Sequence, residues 1–309
     1  MTQMLREKIP ENISTTMIGV SAMRQRARRH WLGLGLLALT SLAGLKTGYA
    51  QDAGVYRFSP VNQYGIELTA SYWNPIIDYV SAKSGVKLQL KIGRTSADTT
   101  AYVLANEVEF VFSNHLFSPE RDHLGWKVFG RRQTPPLHSQ IVTLADSSVQ
   151  KLEQLANLPV GFPGPEALVA YKFSYAQLLS RNIPVQVVFG GNMDGAFAQL
   201  ASGKVKAVGA NSQLTEGWSK RENKPVRVLW QSEPLHDLAL MAAKKVPDKD
   251  LQAVSKAFIE MPKDPQGQKI LASAAELVKL PAGTIFIASN GSEYSAYRSF
   301  YQTAPANLK

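Results

Sequence analysis

Three short apolar runs stand in the middle of the chain, at Val160-Gly161-Phe162, residues 185–189 and residues 205–210, each stopping at small or polar residues. The first two lead into sequence of helical character, and strands alternating with helices of this length predict a parallel α/β sheet. In such a sheet, ligands sit beyond the carboxyl ends of the strands, where loops and helix starts converge. Three such ends follow the runs, at 163–167, 190–194 and Asn211-Ser212. The patterning begins earlier. Residues 55–61 predict a strand that ends at Asn62-Gln63-Tyr64-Gly65. Residues 66–84 predict a helix with Leu68, Tyr72, Ile76 and Tyr79/Val80 along one face, closed by Gly85. Pro75 within it predicts a kink or a later start. Residues 86–92 alternate as a strand with one wet face does. Gly93-Arg94-Thr95-Ser96 then opens a short helix to Asn106, followed by a strand at 109–112 ending in Ser113-Asn114-His115.

The stretch from Ser96 to Asn114 is echoed from Asn192 to Asn211. Each has an Asp near a helix start, a short amphipathic helix, a strand and a terminal Asn. The simplest physical meaning is two similar α/β lobes facing each other across a common cleft. Residues 129–136 read as a loop from their Gly and Pro content, and 138–144 as a strand that crosses to the second lobe. The organisation expected is a leader at 1–50, a first lobe at 51–144 completed by 235–309, and a second lobe at 145–234. Residues 226–230 form the last strand of the second lobe, and 238–243 carry the chain back. Helices are expected near 250–261 and 266–274, and Ala257, Phe258 and Met261 form an ordinary core stripe.

Charge and composition change this picture at the amino end. The formal net charge is +10, but residues 1–50 hold seven Lys/Arg and two Asp/Glu. The remainder is only mildly basic and has no Lys/Arg run interleaved with aromatics, so nucleic acid is not an expected partner. Arg24 to His30 is a basic segment, followed by an apolar stretch at 31–45. That stretch has the length of a signal-peptide core and is shorter than the ~20 residues of a spanning helix. Gly48-Tyr49-Ala50 places cleavage before Gln51, so export to the periplasm is expected. A retained anchor is the alternative, Arg28-Arg29 faintly resembles a twin-arginine signal, and translation could start at Met17 or Met23. The chain has no Cys, which removes disulfides and thiolate metal sites. No triad, metal spacing or phosphate loop is evident, so neither catalysis, cofactor nor metal is expected.

Leu152–Leu155, Val160-Gly161-Phe162, Phe189-Gly190-Gly191, 198–203 with 205–208, Val228-Leu229 with Ser232, and 261–267 (MPKDPQG) follow in one order. That order resembles the phosphate/phosphite/phosphonate-binding subunits of ABC importers, which are type II periplasmic binding proteins. The resemblance covers nearly all of 55–271. It implies two α/β lobes, joined by a two-strand hinge, that close on a small polar or anionic solute and deliver it to an inner-membrane permease. The chain departs from the family at two places. Gly164-Pro165-Glu166-Ala167 stands where phosphonate binders carry a Ser-Thr-Ser turn, and Asn192 stands where a His often follows the two glycines. A carboxylate at that helix start repels an anion held on backbone N–H groups.

The ligand-binding candidates are Tyr64, Thr95, Ser96, Asn114, His115, His138, Glu166, Ala167, Tyr171, Asn192, Asn211 and Ser212. Thr95 and Ser96 offer hydroxyls to an anion or cap the following helix. Asn114 and His115 lie at a strand's carboxyl end, and Asn211 and Ser212 mirror them. His138 precedes the crossing strand. Glu166 favours its helix start or meets a cationic group on the solute. Two function classes remain beside the importer subunit, which is expected to be a monomer: a ligand sensor partnered with a membrane histidine kinase or chemoreceptor, and an enzyme on the same fold.

Overall fold

The computed structural model describes residues 54–309. The leader, its cleavage point and the anchor alternative lie outside the described residues. In chain order the main elements begin with β1 (Tyr56–Pro60), α1 (Ile66–Ser84), β2 (Leu88–Leu90), α2 (Asp98–Leu104), β3 (Phe110–Ser113) and β4 (Lys127–Gln133). There follow β5 (Ser139–Leu144), β6 (Pro159–Phe162), α3 (Ser174–Ser180), β7 (Gln186–Phe189), α4 (Met193–Ala201), β8 (Ala207–Asn211), α5 (Ser212–Glu222) and β9 (Val226–Gln231). The chain ends with β10 (Ala239–Ala242), α6 (Asp248–Glu260), α7 (Pro265–Leu277), β11 (Ile285–Ala288) and α8 (Ser295–Thr303).

Two sheets result, a six-stranded one ordered β11-β4-β10-β3-β1-β2 and a five-stranded one ordered β7-β6-β8-β5-β9. Each contains a parallel trio, β2-β1-β3 in the first lobe and β7-β6-β8 in the second. Each trio is bordered by an antiparallel strand, β10 beside β3 and β5 beside β8. The parallel-sheet expectation therefore holds for the trios and not for the flanking strands. The echoed segments, α2–β3 and α4–β8, occupy the same place in their trios. β3 is buried along its whole length, which explains its unbroken Phe-Val-Phe.

α1 keeps the expected bounds and runs through Pro75, its buried face carrying Tyr72, Trp73, Ile76, Tyr79 and Val80. Tertiary burial of those large side chains outweighs the one backbone hydrogen bond that proline forfeits. Residues 129–133 are not loop but part of β4, paired with both β10 and β11. Gly130 sits opposite a register shift, and a Cβ there would lie 3.0 Å from the Ile287 carbonyl, so this glycine marks a bulge and a close approach. Residues 139–144, grouped with the first lobe on the sequence reading, belong to the second sheet. The chain crosses between sheets at 134–138 and 232–238, and the two crossings meet in a single antiparallel bridge, Leu137 with Leu235.

Strand β11 had no sequence expectation, and α8 is a helix of the C-terminal segment, where helices were expected without bounds beyond residue 274. Tyr294, just before α8, donates to the Asp237 carbonyl at 2.6 Å, and Tyr297 on α8 donates to that of His236. The same helix reaches the second lobe, where Phe300 stacks on Phe173 with ring centroids 4.4 Å apart.

Candidate functional site

The carboxyl ends of β1 and β3 face those of β6 and β8 across a cavity of about 40 Å³. The first lobe lines it with Val61, Asn62, Gln63, Ser96, Asn114, His115 and Leu238. The second contributes Pro163, Ala167, Leu168, Val169, Ala170, Met193, Asn211 and Leu214. The space suits a solute of a few heavy atoms and falls far below the roughly 300 Å³ at which drug-sized pockets begin. Among the described residues, no Lys, Arg, Asp or Glu lines it. Its polarity comes from neutral amides, a hydroxyl and an imidazole.

Each polar group has a distinct local history. Ser96 is 2% exposed, and its Oγ has no hydrogen-bond partner. It does not cap α2; Ala97 holds the cap position, and Asp98 reaches back to the backbone N–H groups of Arg94 (2.5 Å) and Thr95 (2.9 Å). Burial alone would raise the Asp98 pKa, but these bonds and the Thr95 hydroxyl hold it below the ordinary carboxylate value. Asn62 donates its Nδ2 to the Gly93 carbonyl, and its Oδ1 is buried and unpartnered. Gln63 presents its oxygen to Arg132 at 3.4 Å, leaving its NH2 to donate elsewhere. Asn211 caps α5 by accepting from Leu214 N–H at 2.8 Å, which likewise leaves its NH2 as a donor. Asn114 makes no capping bond to the turn that follows it. His115 Nδ1 lies 3.0 Å from Thr100 Oγ1, and burial pushes the imidazole down to about 4, so it is neutral at pH 7.

Of the sequence candidates, Ser96, Asn114, His115, Ala167 and Asn211 are therefore brought together on one cavity. The others do not line it. Thr95 donates its hydroxyl to Asp98 at 2.9 Å. Tyr64 is buried beside Gln63 without lining the cavity. Tyr171 packs among Phe162, Tyr175 and Phe189 in the core of the second lobe. Asn192 caps α4 through Gly195 N–H at 2.8 Å. His138 and Ser212 bond to each other's backbone at the crossing segment, His138 N–H meeting Ser212 Oγ at 3.0 Å.

Glu166 does not line the cavity. It accepts from Arg121 of the first lobe at 2.7 Å, and the same guanidinium nitrogen donates to the His115 carbonyl at 2.7 Å. Burial would raise Glu166, but Arg121 and the neighbouring cations hold it below the usual carboxylate range. This pair is one of several contacts joining the lobes around the cavity. Ser96 N–H donates to the Gly191 carbonyl at 2.7 Å, and Gly65 N–H lies 3.3 Å from Asp194 Oδ2. Arg221, itself paired with Asp194 at 2.7 Å, reaches the Val278 carbonyl at 3.3 Å. Two glycines permit the approach. A Cβ on Gly164 would stand 2.7 Å from Ser96 Oγ, and Gly191 has φ +86°.

Asn62 and Gln63 were missed as site residues, although the same strand-end rule that selected Asn114 applies to them. They follow closely on β1, two and one residues before Tyr64. Met193, Leu214 and Leu238 carry no sequence signal, because their place on the wall depends on lobe packing. Among the described residues, no cluster of His, Asp and Glu could hold a metal, and no helix is long and apolar enough to cross a membrane.

The family model of the periplasmic substrate-binding protein of phosphonate ABC transporters matches residues 58–280. Among solved structures, the chain is similar to a binding protein component of a phosphonate ABC transporter from Pseudomonas aeruginosa. The identity is 16% over 81% of this chain and 87% of that one, with a TM-score of 0.67. PhnD1 from Prochlorococcus marinus, solved with methylphosphonate, is 14% identical over 80% and 97% of the two chains, with a TM-score of 0.65. A Xanthomonas citri protein solved with ATP is 11% identical over 80% and 96%, with a TM-score of 0.61. No curated protein matches the sequence. With two α/β lobes, a doubly crossed hinge and a family match over most of its length, the chain belongs to the periplasmic substrate-binding proteins of phosphonate ABC transporters.

Proposed function

We propose that this binding protein captures a small phosphorus oxyanion in the cavity between β1/β3 and β6/β8, by lobe closure and without turnover. The family makes it the solute-binding component of an ABC importer, placed in the periplasm and working with a membrane permease. The observation that carries the ligand reading is a buried cavity of about 40 Å³ lined by Ser96, Gln63, Asn211 and His115, neutral groups able to donate to oxygens. An anion held by neutral donors keeps its charge without a buried counter-ion and its desolvation cost. The apolar wall of Leu168, Val169, Met193, Leu214 and Leu238 suits a short alkyl substituent.

Closure follows from the same atoms. A buried polar group without a partner costs about 1–3 kcal/mol, so a solute that satisfies Ser96 Oγ favours the closed arrangement over the open one. A thermal-shift panel on residues 51–309 tests the reading, with phosphate, methylphosphonate, aminoalkylphosphonate, amino acids and small carboxylates as ligands. Methylphosphonate is expected to raise the melting temperature, since binding to the folded state alone stabilises it by mass action. A shift confined to amino acids or cations would sink the phosphorus assignment. Product formation from a bound solute would sink the claim of capture without turnover.

A further inference from the structure

The amide of Asn62 has one orientation. Its neighbour on one side is the Gly93 carbonyl, which can only accept, so the NH2 end must face it and the oxygen is the end left over. Asn62 is 1% exposed, lines the cavity, and its Oδ1 has no partner. The loop that holds it is pinned. A Cβ on Gly93 would lie 2.2 Å from Asp98 Cβ, and Asp98 in turn ties down the next two backbone N–H groups. Asn62 therefore cannot turn its NH2 inward without abandoning Gly93. Among the polar lining groups it presents an acceptor, whereas Gln63 and Asn211 have their oxygens engaged and their NH2 groups left to donate.

An oxyanion whose oxygens are all acceptors would set one of them against this fixed acceptor in a water-poor site, leaving both unsatisfied. A phosphonate monoanion carries a P–OH that donates to it, while its remaining oxygens accept from the donors around them. A sulfonate is fully ionised and has no such hydrogen. We propose that Asn62 is a specificity-determining residue that admits oxyanions bearing an O–H and rejects those without one, so that the protein binds phosphonate monoanions and refuses sulfonates. This rests on the phosphorus-oxyanion reading above.

The surroundings leave the solute as the group that titrates near neutrality. His115 on the β3 end is the one titratable lining group, and it stays neutral down to about 4. Around it, Asp98 beside the Gly93 loop and Glu166 across the cleft are held below the ordinary carboxylate value, and burial raises Tyr64 above its own. The remaining charged neighbours are Arg132 with Asp237 behind Gln63, Arg121 against Glu166, Arg221 against Asp194, and Lys172, which burial holds below the ordinary lysine value.

The test is isothermal titration calorimetry of the protein with methylphosphonate and with methanesulfonate, at about pH 6 and about pH 8.5, on either side of the second phosphonate ionisation. Methylphosphonate should bind at least about a hundredfold more tightly than methanesulfonate at the lower pH, because a buried polar group left unpaired is a strong discriminator. Its affinity should fall about tenfold or more at the higher pH as the monoanion is depleted. Asn62→Ala should narrow the ratio between the two anions, whereas Ser96→Ala should weaken methylphosphonate without making methanesulfonate its equal. Similar affinities for the two anions, or a methylphosphonate affinity indifferent to pH, would overturn the filter and leave the site reading standing. Binding of neither anion by the wild-type protein would overturn the phosphorus reading, and the filter with it.

Discussion

The two lobes carry the same sequence pattern and use it differently. In the second lobe, the polar residues at the echoed positions turn back on their own backbone. Asn192 caps α4, and Asn211 caps α5. In the first lobe, the matching helix start is secured by Asp98, and Ser96 is left with a buried, unpartnered hydroxyl. Asn114, the counterpart of Asn211, makes no capping bond. The first lobe thus concentrates unspent hydrogen-bonding capacity at the cavity, and the second supplies capped helices, close-approach glycines and most of the apolar wall. A strand-end Asn signals a site; whether it serves the solute or its own helix depends on what else caps that helix.

The polar face of the first lobe has a buried foundation that breaks with the largest effect. Arg132 and Asp237 are 1% and 0% exposed and meet at 2.7 Å, with Arg132 also touching Tyr72 and Gln63. Asp237→Ala leaves that guanidinium buried without its counter-ion, at an expected cost of about 3–5 kcal/mol. Calorimetry should show a melting temperature lower by roughly 10 °C. A loss no greater than that of an exposed ion pair would mean that the first lobe has no such foundation.

Acidification should also separate the lobes. His115 sits at the end of β3, whereas Ser212 holds the matching place after β8. The unfolded chain takes up the imidazole proton near 6.5, but the folded protein resists it down to about 4. Between those values the unfolded state binds more protons. Stability is therefore unchanged by this group above 6.5 and falls as pH drops through the window, by on the order of 3 kcal/mol. Urea midpoints measured across that range should show the fall, and His115→Gln should flatten it. An unaltered slope in the variant would assign the pH dependence to other groups.

Smaller effects sharpen the contrast between the echoed positions. Ser96→Ala should weaken methylphosphonate about tenfold with little change in melting temperature, since the hydroxyl has no protein partner to lose. Asn192→Ala should do the reverse, costing about 1 kcal/mol of stability as a lost cap while leaving the dissociation constant unchanged. If the two variants exchange these outcomes, the assignment of roles is wrong. Glu166→Gln, which weakens the interlobe contact with Arg121, should raise the dissociation constant about threefold, and less at high salt, as expected for a pair that is still partly reached by solvent. An effect that grows with salt would argue against an ionic closure contact.

Much of the fold was legible because it rests on local periodicity. The helix at 66–84 and the three apolar runs of the second lobe each declare themselves over consecutive residues. The strand at 127–133 was hidden because Gly130 and the two prolines beyond it look like loop chemistry, and only pairing with β10 and β11 on both sides makes the segment a strand. The candidate site was legible through strand ends, which pointed to Asn114, His115 and Asn211, and through the helix start that pointed to Ser96. The pairing of Glu166 was not legible, because its partner in the folded protein lies 45 residues away.

The sequence by itself determined the alternation of strands and helices, the two echoed half-units and the placement of polar residues at strand ends, because these follow from nearest-neighbour periodicity and turn chemistry. Only the tertiary structure decided which hydrogen-bonding groups stay unspent. Asn62 owes its free oxygen to a glycine carbonyl 31 residues away, and Asn211 owes its free NH2 to a helix start three residues on. A side chain's chemistry toward a solute is what remains after its neighbours have been satisfied, and those neighbours are chosen by the fold.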